Sequence, residues 1–596
     1  MKKNILVAVA WPYASADIHV GNITGSYLPA DIFARYHRLL GNQVLMVSGS
    51  DSHGTPITVR ADEEGCTPEE VYQKYHHKFL DLFQKTGLSY DLFTSTHTQN
   101  HFRVAQTMFS ALKEKGYLYT ETQKQWYSTS QERFLPDRYV EGTCYICGFE
   151  NARGDQCDQC GNLLEANGLI DPHSKMDGST PELRDTEHFY LDLGALQPQI
   201  VEFLKKREGY WRPNVLRQSL GQILAEDLRG RAITRDLKWG IPVPVPGWEE
   251  KRLYVWFEAV IGYLSAAIEW AALSGNEEAW KEWWYNPDSR AYYFIGKDNI
   301  PFHAVIWPAE LAGVGNTFGA LFDEDDQHDL ILPYDVPANE FLNMEGKKIS
   351  GSRNWVVDGL DFLSRYDPDP LRYYLTANMP ETRDADWEWK EFVSRNNNEL
   401  VATWGNLVNR VLSFAHKQWD GIIPEPGELR PDDQKILDTI QSGFNKVSDL
   451  YNRVKLRAAL TETMLLAGEV NKYLDDKAPW FEIKEDKDAA GKSIYTAIRA
   501  IDSLKILFAP VLPFTCEQLH HTLGYETPLF GEQYTETVED NLGIHEVLRY
   551  RHGVTPCEWQ TSELAAGSPF HKPKPLFQKL DPEVAEEEYN RLGSSE

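Results

Sequence analysis

The stretch Ile5–Tyr36, ILVAVAWPYASADIHVGNITGSYLPADIFARY, decides how the chain is read. The apolar residues Ile5 to Ala10 run unbroken into Trp11-Pro12, the composition of a strand buried on both faces of a parallel sheet. A loop follows, and His19-Val20-Gly21-Asn22 opens a helix. Ligands of open α/β sheets collect beyond the carboxyl ends of the strands, where a helix N-terminus favours anions. Gly21 lets a flat group approach the backbone, while His19 and Asn22 carry donors for phosphate oxygens. Spacing alone does not separate this from a structural loop. The strand–loop–helix context favours a site, as does a second crossover, MVSGSDSHGTPI, which sets Asp51 and His53 at another strand end.

The same N-terminus imitates a secretory leader, with two lysines, an apolar run and Ala8-Val9-Ala10. The run is shorter than the roughly 7 residues of an apolar leader core, and Trp11-Pro12 interrupts it. No later stretch offers about 18 uninterrupted apolar residues, so no membrane span is expected.

Outward from this stretch the texture changes several times. To about Lys115, apolar runs alternate with helix-like stretches, the βαβ pattern of a parallel sheet. A turn-rich, cysteine-bearing stretch reaches about residue 230, after which the strand-like RLYVWFEAVIGYL and RAYYFIGKDN resume the pattern. From about Trp389, apolar residues spaced at three and four predict a helical bundle. Beyond Arg551 the chain is rich in Pro, Lys and Glu without periodicity, and a partly disordered tail is expected. The fold class is therefore α/β, a parallel sheet split by an insertion and followed by an all-α bundle. The boundaries read as 1–117 and 231–340 for the two halves of the sheet domain, 118–230 for the insertion, 341–388 for a connecting region, 389–550 for the bundle and 551–596 for the tail.

With 596 residues and a formal net charge of −29, the chain is no general polyanion binder, and a nucleic acid would need a local basic track. Seven cysteines, four of them clustered, fit a reducing compartment, so the protein is expected in the cytoplasm. The cluster CYICGFENARGDQC-DQC gives Cys144-x-x-Cys147 and Cys157-x-x-Cys160 with Gly148 and Gly161 behind each pair. Two such turns present four thiolates tetrahedrally, which predicts one structural Zn2+ per chain with no open coordination position. A disulfide pair or an idle thiol cluster is the alternative.

Far along the chain, MEGKKISGSRNW, Met344–Trp355, sets Lys347, Lys348, Ser350, Ser352 and Arg353 among glycines. It supplies donors and almost no acceptors, which suits a polyphosphate as well as a solvated turn.

Taken in order, these motifs resemble the class I aminoacyl-tRNA synthetases, and the methionyl-tRNA synthetases most closely. The likeness runs through WPYASADIHVGN, GSDSHGTPI, AITRDLKWGIPVP, YVWFEAVIGYL, FIGKDNIPFHAVIWPA, KKISGSRNW, GNLVNR and YLDDKAPW, from about residue 4 to residue 480. The resemblance implies a Rossmann-type catalytic domain, a zinc-knuckle insertion and an anticodon-binding bundle. It implies ATP with Mg2+ as substrate, L-methionine and tRNA(Met) as partners, and formation of methionyl-adenylate and pyrophosphate before transfer to the tRNA 3′ end.

Carried over residue by residue, His19, Asn22, Lys348, Arg235 and Asp298 are expected in catalysis. Gly21, Gly296, Ser350 and Ser352 join His19, Asn22 and Lys348 around ATP. Ala10, Trp11, Tyr13, Asp51, Trp256, Ala259, Tyr263 and His303 match the methionine pocket, and Asn406, Arg410 and Trp480 match positions that contact anticodon bases. Two departures stand out: Gly351 occupies the place of the family's second loop lysine, and Asn22 that of its second histidine. Lys347 or Arg353 is expected to supply the missing charge. A synthetase for another apolar amino acid and a non-catalytic tRNA-binding or regulatory paralogue remain open. Only about 45 residues follow the bundle, too few for an appended dimerising domain, so a monomer is expected.

Overall fold

The computed structural model describes residues 2–136, 139–154, 157, 159–160, 164, 166–318, 328–553 and 558–593. Its centre is a seven-stranded sheet built from β1 (Asn4–Val9), β2 (Gln43–Ser50), β3 (Leu92–Ser95), β4 (Arg290–Gly296), β5 (Ala338–Asn339), β6 (Glu532–Asp540) and β7 (Gly543–Arg551), in the order β5-β4-β1-β2-β3-β7-β6. The first five run parallel, with β1 between β2 and β4, so Val7 and Ala8 are covered on both faces. This central position explains the unbroken apolar run.

The sheet's last two strands come from a hairpin that the sequence reading placed with the bundle. β7 pairs antiparallel with β3 through Leu548↔Phe93, and His76 on the helix Pro68–Thr86 bonds the Glu546 carbonyl at 2.7 Å. The region after the bundle thus returns to the sheet.

A second correction concerns RLYVWFEAVIGYL. The stretch read as a strand is the start of a 19-residue helix, α1 (Val255–Leu273). It is apolar all round because it lies against the sheet with its surroundings closed, so no polar face marks its period. Among the described residues it is the one helix long and apolar enough to cross a membrane, and 78% of that window is buried inside the fold.

The insertion is more regular than its turn-rich sequence implied. Leu118–Ser128 pairs antiparallel with Glu182–Leu191 over its length, and a small three-stranded sheet carries the cysteine turns. Tyr139 in that unit donates to Asp62 at 2.8 Å, tying it to the helix Thr55–Glu64 behind β2.

The bundle's long helices are α2 (Asn406–Gln418), α3 (Pro431–Asn452), α4 (Leu456–Lys477) and α5 (Lys487–Phe508). Its junction with the sheet domain centres on Arg372, a fully buried guanidinium that donates to Asp31 Oδ2 at 2.6 Å and to the carbonyls of Thr86, Pro510 and Val511 at 3.1, 2.9 and 2.8 Å. Asp31 also pairs with Arg35 at 2.9 Å. Burial alone would raise the Asp31 carboxyl, but Arg35 and Arg372 hold it down to about 2. A depressed carboxylate contributes stability above its unfolded value near 4, and that contribution fades as pH falls toward 2.

The tail expected to be partly disordered is docked. Trp559 packs edge-on against Tyr36, and the helix α6 (Val584–Arg591) lies on Trp389–Arg395.

Arg372→Met should therefore cost about 3–5 kcal/mol, the typical penalty for removing one partner of a buried pair. It should also move the acid-unfolding midpoint upward. Chemical denaturation and a pH titration followed by circular dichroism check both.

Candidate active site

Beyond the carboxyl ends of β1, β2 and β4 opens a cavity of about 1210 Å³. Its floor and walls include Ala10, Trp11, Tyr13, His19, Gly21, Asn22, Asp51, Trp256, Ala259, Tyr263, Gly296, Asp298, His303 and Lys348. The parallel register delivers these residues because β1, β2 and β4 end level, with Ala8 opposite both Val47 and Tyr293.

His19 caps the helix turn that begins at Val20. The N–H groups of Gly21 and Asn22 donate to its Nδ1 at 3.1 and 3.3 Å, so the neutral ring carries its proton on Nε2. Burial lowers the His19 pKa to about 4, which keeps the ring neutral at pH 7. Asn22 answers with its side-chain oxygen, accepting from the His19 N–H at 3.2 Å and leaving its NH2 as donor. The asparagine thus supports the histidine through the capping box and still offers protons to the cavity. A side chain at Gly21 would meet Ile349 at 2.9 Å and the His19 ring at 3.0 Å.

The cationic loop closes on this turn by backbone pairing. Val20 N–H donates to the Val357 carbonyl at 3.1 Å and Gly359 N–H to the Ile18 carbonyl at 3.0 Å. Lys347–Lys348 forms a short strand with Asn343–Met344, and Lys348, Ile349 and Gly351 face the cavity. Ser350 accepts from Arg353 Nε at 3.1 Å and is outside the lining. The Ser352 side chain falls outside the described residues. Lys347 sits 4.1 Å over the Trp355 ring; neither it nor Arg353 lines the cavity.

The opposite end is aromatic. Trp256 stacks on Phe302 at 4.0 Å and meets Tyr13 edge-on at 5.9 Å. His303 Nδ1 donates to the Asn299 carbonyl at 2.9 Å, so Nε2 accepts from the Tyr263 hydroxyl at 2.7 Å. Burial lowers the His303 pKa to about 4 and keeps this ring neutral too. Trp11 lies in a notch cut by two glycines, where a side chain at Gly49 would meet the indole at 2.0 Å and one at Gly262 would meet it at 2.6 Å.

Asp51 stands at the end of β2, bridged to Tyr13. Burial, and then the charge of Glu258, pushes its carboxyl well above the ordinary carboxylate range. No basic side chain is within ion-pair distance of it among the described residues. Glu258 itself bonds His53 Nδ1 at 2.8 Å and His101 Nε2 at 2.7 Å. Asp298 is also raised by burial, and a side chain at Gly296 would displace Asp298 Oδ1, 2.7 Å away.

These features make a slot for an apolar group, a buried carboxylate for a cation, and a donor-lined mouth for phosphates. Comparison with known proteins decides the family. The family model described as tRNA synthetases class I (M) matches residues 5–412, and that of the anticodon binding domain of methionyl tRNA ligase matches residues 423–542. The chain belongs to the methionyl-tRNA synthetase family. It is 56% identical to a methionine–tRNA ligase of Thermomicrobium roseum and 52% identical to one of Roseiflexus castenholzii, covering 99% of this chain and 99% of each relative. The fold is similar to a methionyl-tRNA synthetase of Mycobacterium tuberculosis solved with bound methionyl-adenylate, with a TM-score of 0.74 and 21% identity over 97% of this chain and 100% of that one.

Within this family frame, Arg235, like Ser350, does not reach the cavity. Arg235 lies on a two-stranded hairpin with its guanidinium 3.7 Å over the Tyr254 ring and Nη1 on the Thr234 carbonyl at 2.8 Å. The anticodon positions do come together. Asn406 and Arg410 are one turn apart on α2, Arg410 lies 4.4 Å over Trp480, and Asn471 and Asp475 of α4 hold its fork at 3.5 and 3.4 Å. The sulfurs of Cys144, Cys147, Cys157 and Cys160 lie within 4.8 Å of one another, and Cys147 and Cys157 are 3.6 Å apart. A tetrahedral metal with bonds of about 2.3 Å spaces its thiolates by about 3.8 Å, so the cluster could hold one. The Ile146 N–H points at Cys144 Sγ at 3.4 Å, as in a metal knuckle, and Gly161 lies outside the described residues.

Sequence reading missed Arg60, which lines the cavity in an ion pair with Glu64, and two residues behind the lining: Phe302, stacked on Trp256, and Glu258, bonded to His53. Phe302 stands one residue before a named position in FIGKDNIPFHAV, and Glu258 is an acid inside an otherwise apolar helix. Both were visible as anomalies.

Gly49→Ala should expel the Trp11 indole, at about 1–3 kcal/mol for overpacking. The near-ultraviolet circular dichroism of the tryptophans should change with it, and an unchanged spectrum at full stability would contradict the notch.

Proposed function

We propose that this chain is a methionine–tRNA ligase, activating L-methionine with ATP and transferring it to the 3′ end of tRNA(Met). The observation that carries the reading is a single cavity in which the His19 turn, the Lys348 loop and the Tyr263–His303 slot meet. A synthetase for another apolar amino acid or a non-catalytic paralogue is not favoured.

Methionine's thioether lies in the slot of Trp11, Tyr13, Trp256, Ala259, Tyr263 and His303, since a polarisable sulfur packs well on ring edges. Its ammonium meets Asp51, whose buried, unpaired carboxyl gains a cation only when the amino acid binds. The carboxylate then attacks the α-phosphorus of ATP, pyrophosphate leaves, and negative charge grows on the phosphate oxygens. His19 Nε2–H, the Asn22 NH2 and Lys348 donate to those oxygens. Losing one such donor typically costs about 2.7–4 kcal/mol of transition-state stabilisation. Gly21 and Gly296 admit the nucleotide closely, and Asp298 borders it. Mg2+ accompanies the triphosphate and neutralises part of its charge. In the second step a ribose hydroxyl of the tRNA attacks the adenylate carbonyl and AMP departs.

Arg235 in its present place serves the hairpin, and a role in activation requires it to leave Tyr254. The four cysteines hold Zn2+, which stabilises the insertion and takes no part in the reaction. Residues 1–117 and 231–340 with the hairpin 532–551 form the activation unit. Residues 118–230 cover it, 341–388 connect it to the bundle, and the helices from 389 onward read the anticodon. There Trp480 stacks on an unpaired base while Asn406 and Arg410 address base edges.

Four experiments test this. Methionine-dependent ATP–pyrophosphate exchange followed by charging of tRNA with a CAU anticodon should both be seen, and no exchange with L-methionine would end the reading. Lys348→Ala should slow exchange about 100- to 1,000-fold. Gly351→Lys should fold normally, because nothing lies within 4 Å of a side chain there, and it should speed exchange; a slower variant would show that the loop has been rebuilt around the glycine. Trp480→Ala should impair charging at least tenfold, matching the base-stacking scale of about 1–3 kcal/mol, while exchange stays near wild type. Equal loss in both reactions would contradict the division of labour.

A further inference from the structure

The C-terminal segment Val584–Gly593 reaches the ATP loop. Gly593 N–H donates to the Asn354 carbonyl at 2.8 Å, and the Tyr589 ring meets the Trp355 ring edge-on at 6.2 Å. Trp355 is the loop's anchor: its indole N–H bonds the Met344 carbonyl at 2.8 Å, and its backbone exchanges hydrogen bonds with Ser350 at 2.9 and 3.0 Å. Met344 and Trp355 bracket Lys347–Asn354, so whatever fixes Trp355 fixes both ends of the loop.

The segment is itself held firmly. Glu588, 5% exposed, accepts from Arg365 Nε and Nη2 at 2.8 and 3.0 Å and from the Tyr366 hydroxyl at 2.9 Å. Arg591 reaches Asp361 at 3.1 Å. Gly593 has φ +72° and lies 3.4 Å, measured to an added side-chain carbon, from Trp355. A residue with a side chain would be strained there by the left-handed backbone. Bidentate arginine–carboxylate pairing is the orienting kind of ion pair, and here it orients the helix that carries Tyr589.

We propose that Val584–Gly593 is a positioning element for the ATP loop: by holding Trp355 and Asn354 it sets where Lys348 stands against the triphosphate. The segment does not touch the cavity and acts through the loop. The inference rests on the reading of Lys347–Ser352 as the ATP loop, and wild-type exchange tests that reading separately.

The experiment uses full-length Tyr589→Ala, Tyr589→Phe and a chain ended after Leu592, assayed by methionine-dependent exchange. Tyr589 is 46% exposed, so its variants should fold. Tyr589→Ala and the shortened chain should lower kcat and raise the KM for ATP, together about tenfold in kcat/KM. The KM for methionine should be unchanged, and Tyr589→Phe should restore the wild-type values because the ring contact survives. In a Lys348→Ala background, Tyr589→Ala should cost less than twofold more. Wild-type ATP kinetics in both variants would overturn the proposal. So would equal rises in both KM values, or a full tenfold loss on top of Lys348→Ala.

Discussion

Two backbone hydrogen bonds hold the site together. Val20 to Val357 and Ile18 to Gly359 join the turn after the first strand to the segment after the cationic loop, at 3.1 and 3.0 Å. Neither bond depends on side-chain identity, so the pairing survives substitutions such as Asn22 and Gly351. It leaves little freedom in register, because Gly21 is already in contact with Ile349 and His19. The His19 turn and the Lys348 loop therefore line one cavity from adjoining sides. The close approach is also why Gly21 cannot be replaced, whereas Gly351, with open space around it, carries no such constraint.

The cavity's electrostatics follow from burial and a few fixed bonds. His19 and His303 are kept neutral, each with its tautomer set by one bond, so both rings are reliable single donors or acceptors at neutral pH. The carboxylates divide differently. Burial would raise Glu258, but His53 and His101 hold it down to about 2, whereas Asp51 lacks such partners and is pushed up. One acid is thus satisfied by the protein and the other is left for a ligand. The chain's net charge of −29 sharpens this contrast, since Arg60 and Lys348 are the lysine and arginine side chains among the cavity's lining residues.

How much of this was legible in the sequence depends on the range of the physics. The first strand, the His19 turn and the cysteine pairs were legible because each is decided within a few residues, by burial pattern, capping or ligand spacing. The helix Val255–Leu273 was misread because burial on every side erases the period that marks a helix. The hairpin 532–551 and the tail were misplaced for the opposite reason. Their position is set by partners far away, His76 and Phe93 for the hairpin and Arg365 and Trp355 for the tail, and no local pattern encodes a partner. Arg235 shows a third limit: its residue type fits the site, but its fork is satisfied by its own hairpin.

The tail also changes how the two halves of the molecule are understood. Phe570 N–H bonds Gly421 just beyond the end of α2, Phe577 packs within 3.1 Å of a side chain built at Gly405, and Asn396 and Asn397 hold the Gln578 and Leu580 backbone at 3.0 and 2.8 Å. From there the chain continues to Glu588 and Gly593. It therefore runs beside the helix that carries Asn406 and Arg410 and ends on the loop that carries Lys348. The covalent route between the same two points runs through Arg372 and its buried pair with Asp31. Both connections are anchored by buried groups, Arg372 with Asp31 in one and Phe577 and Glu588 in the other, so the tail holds α2 and the loop in one frame.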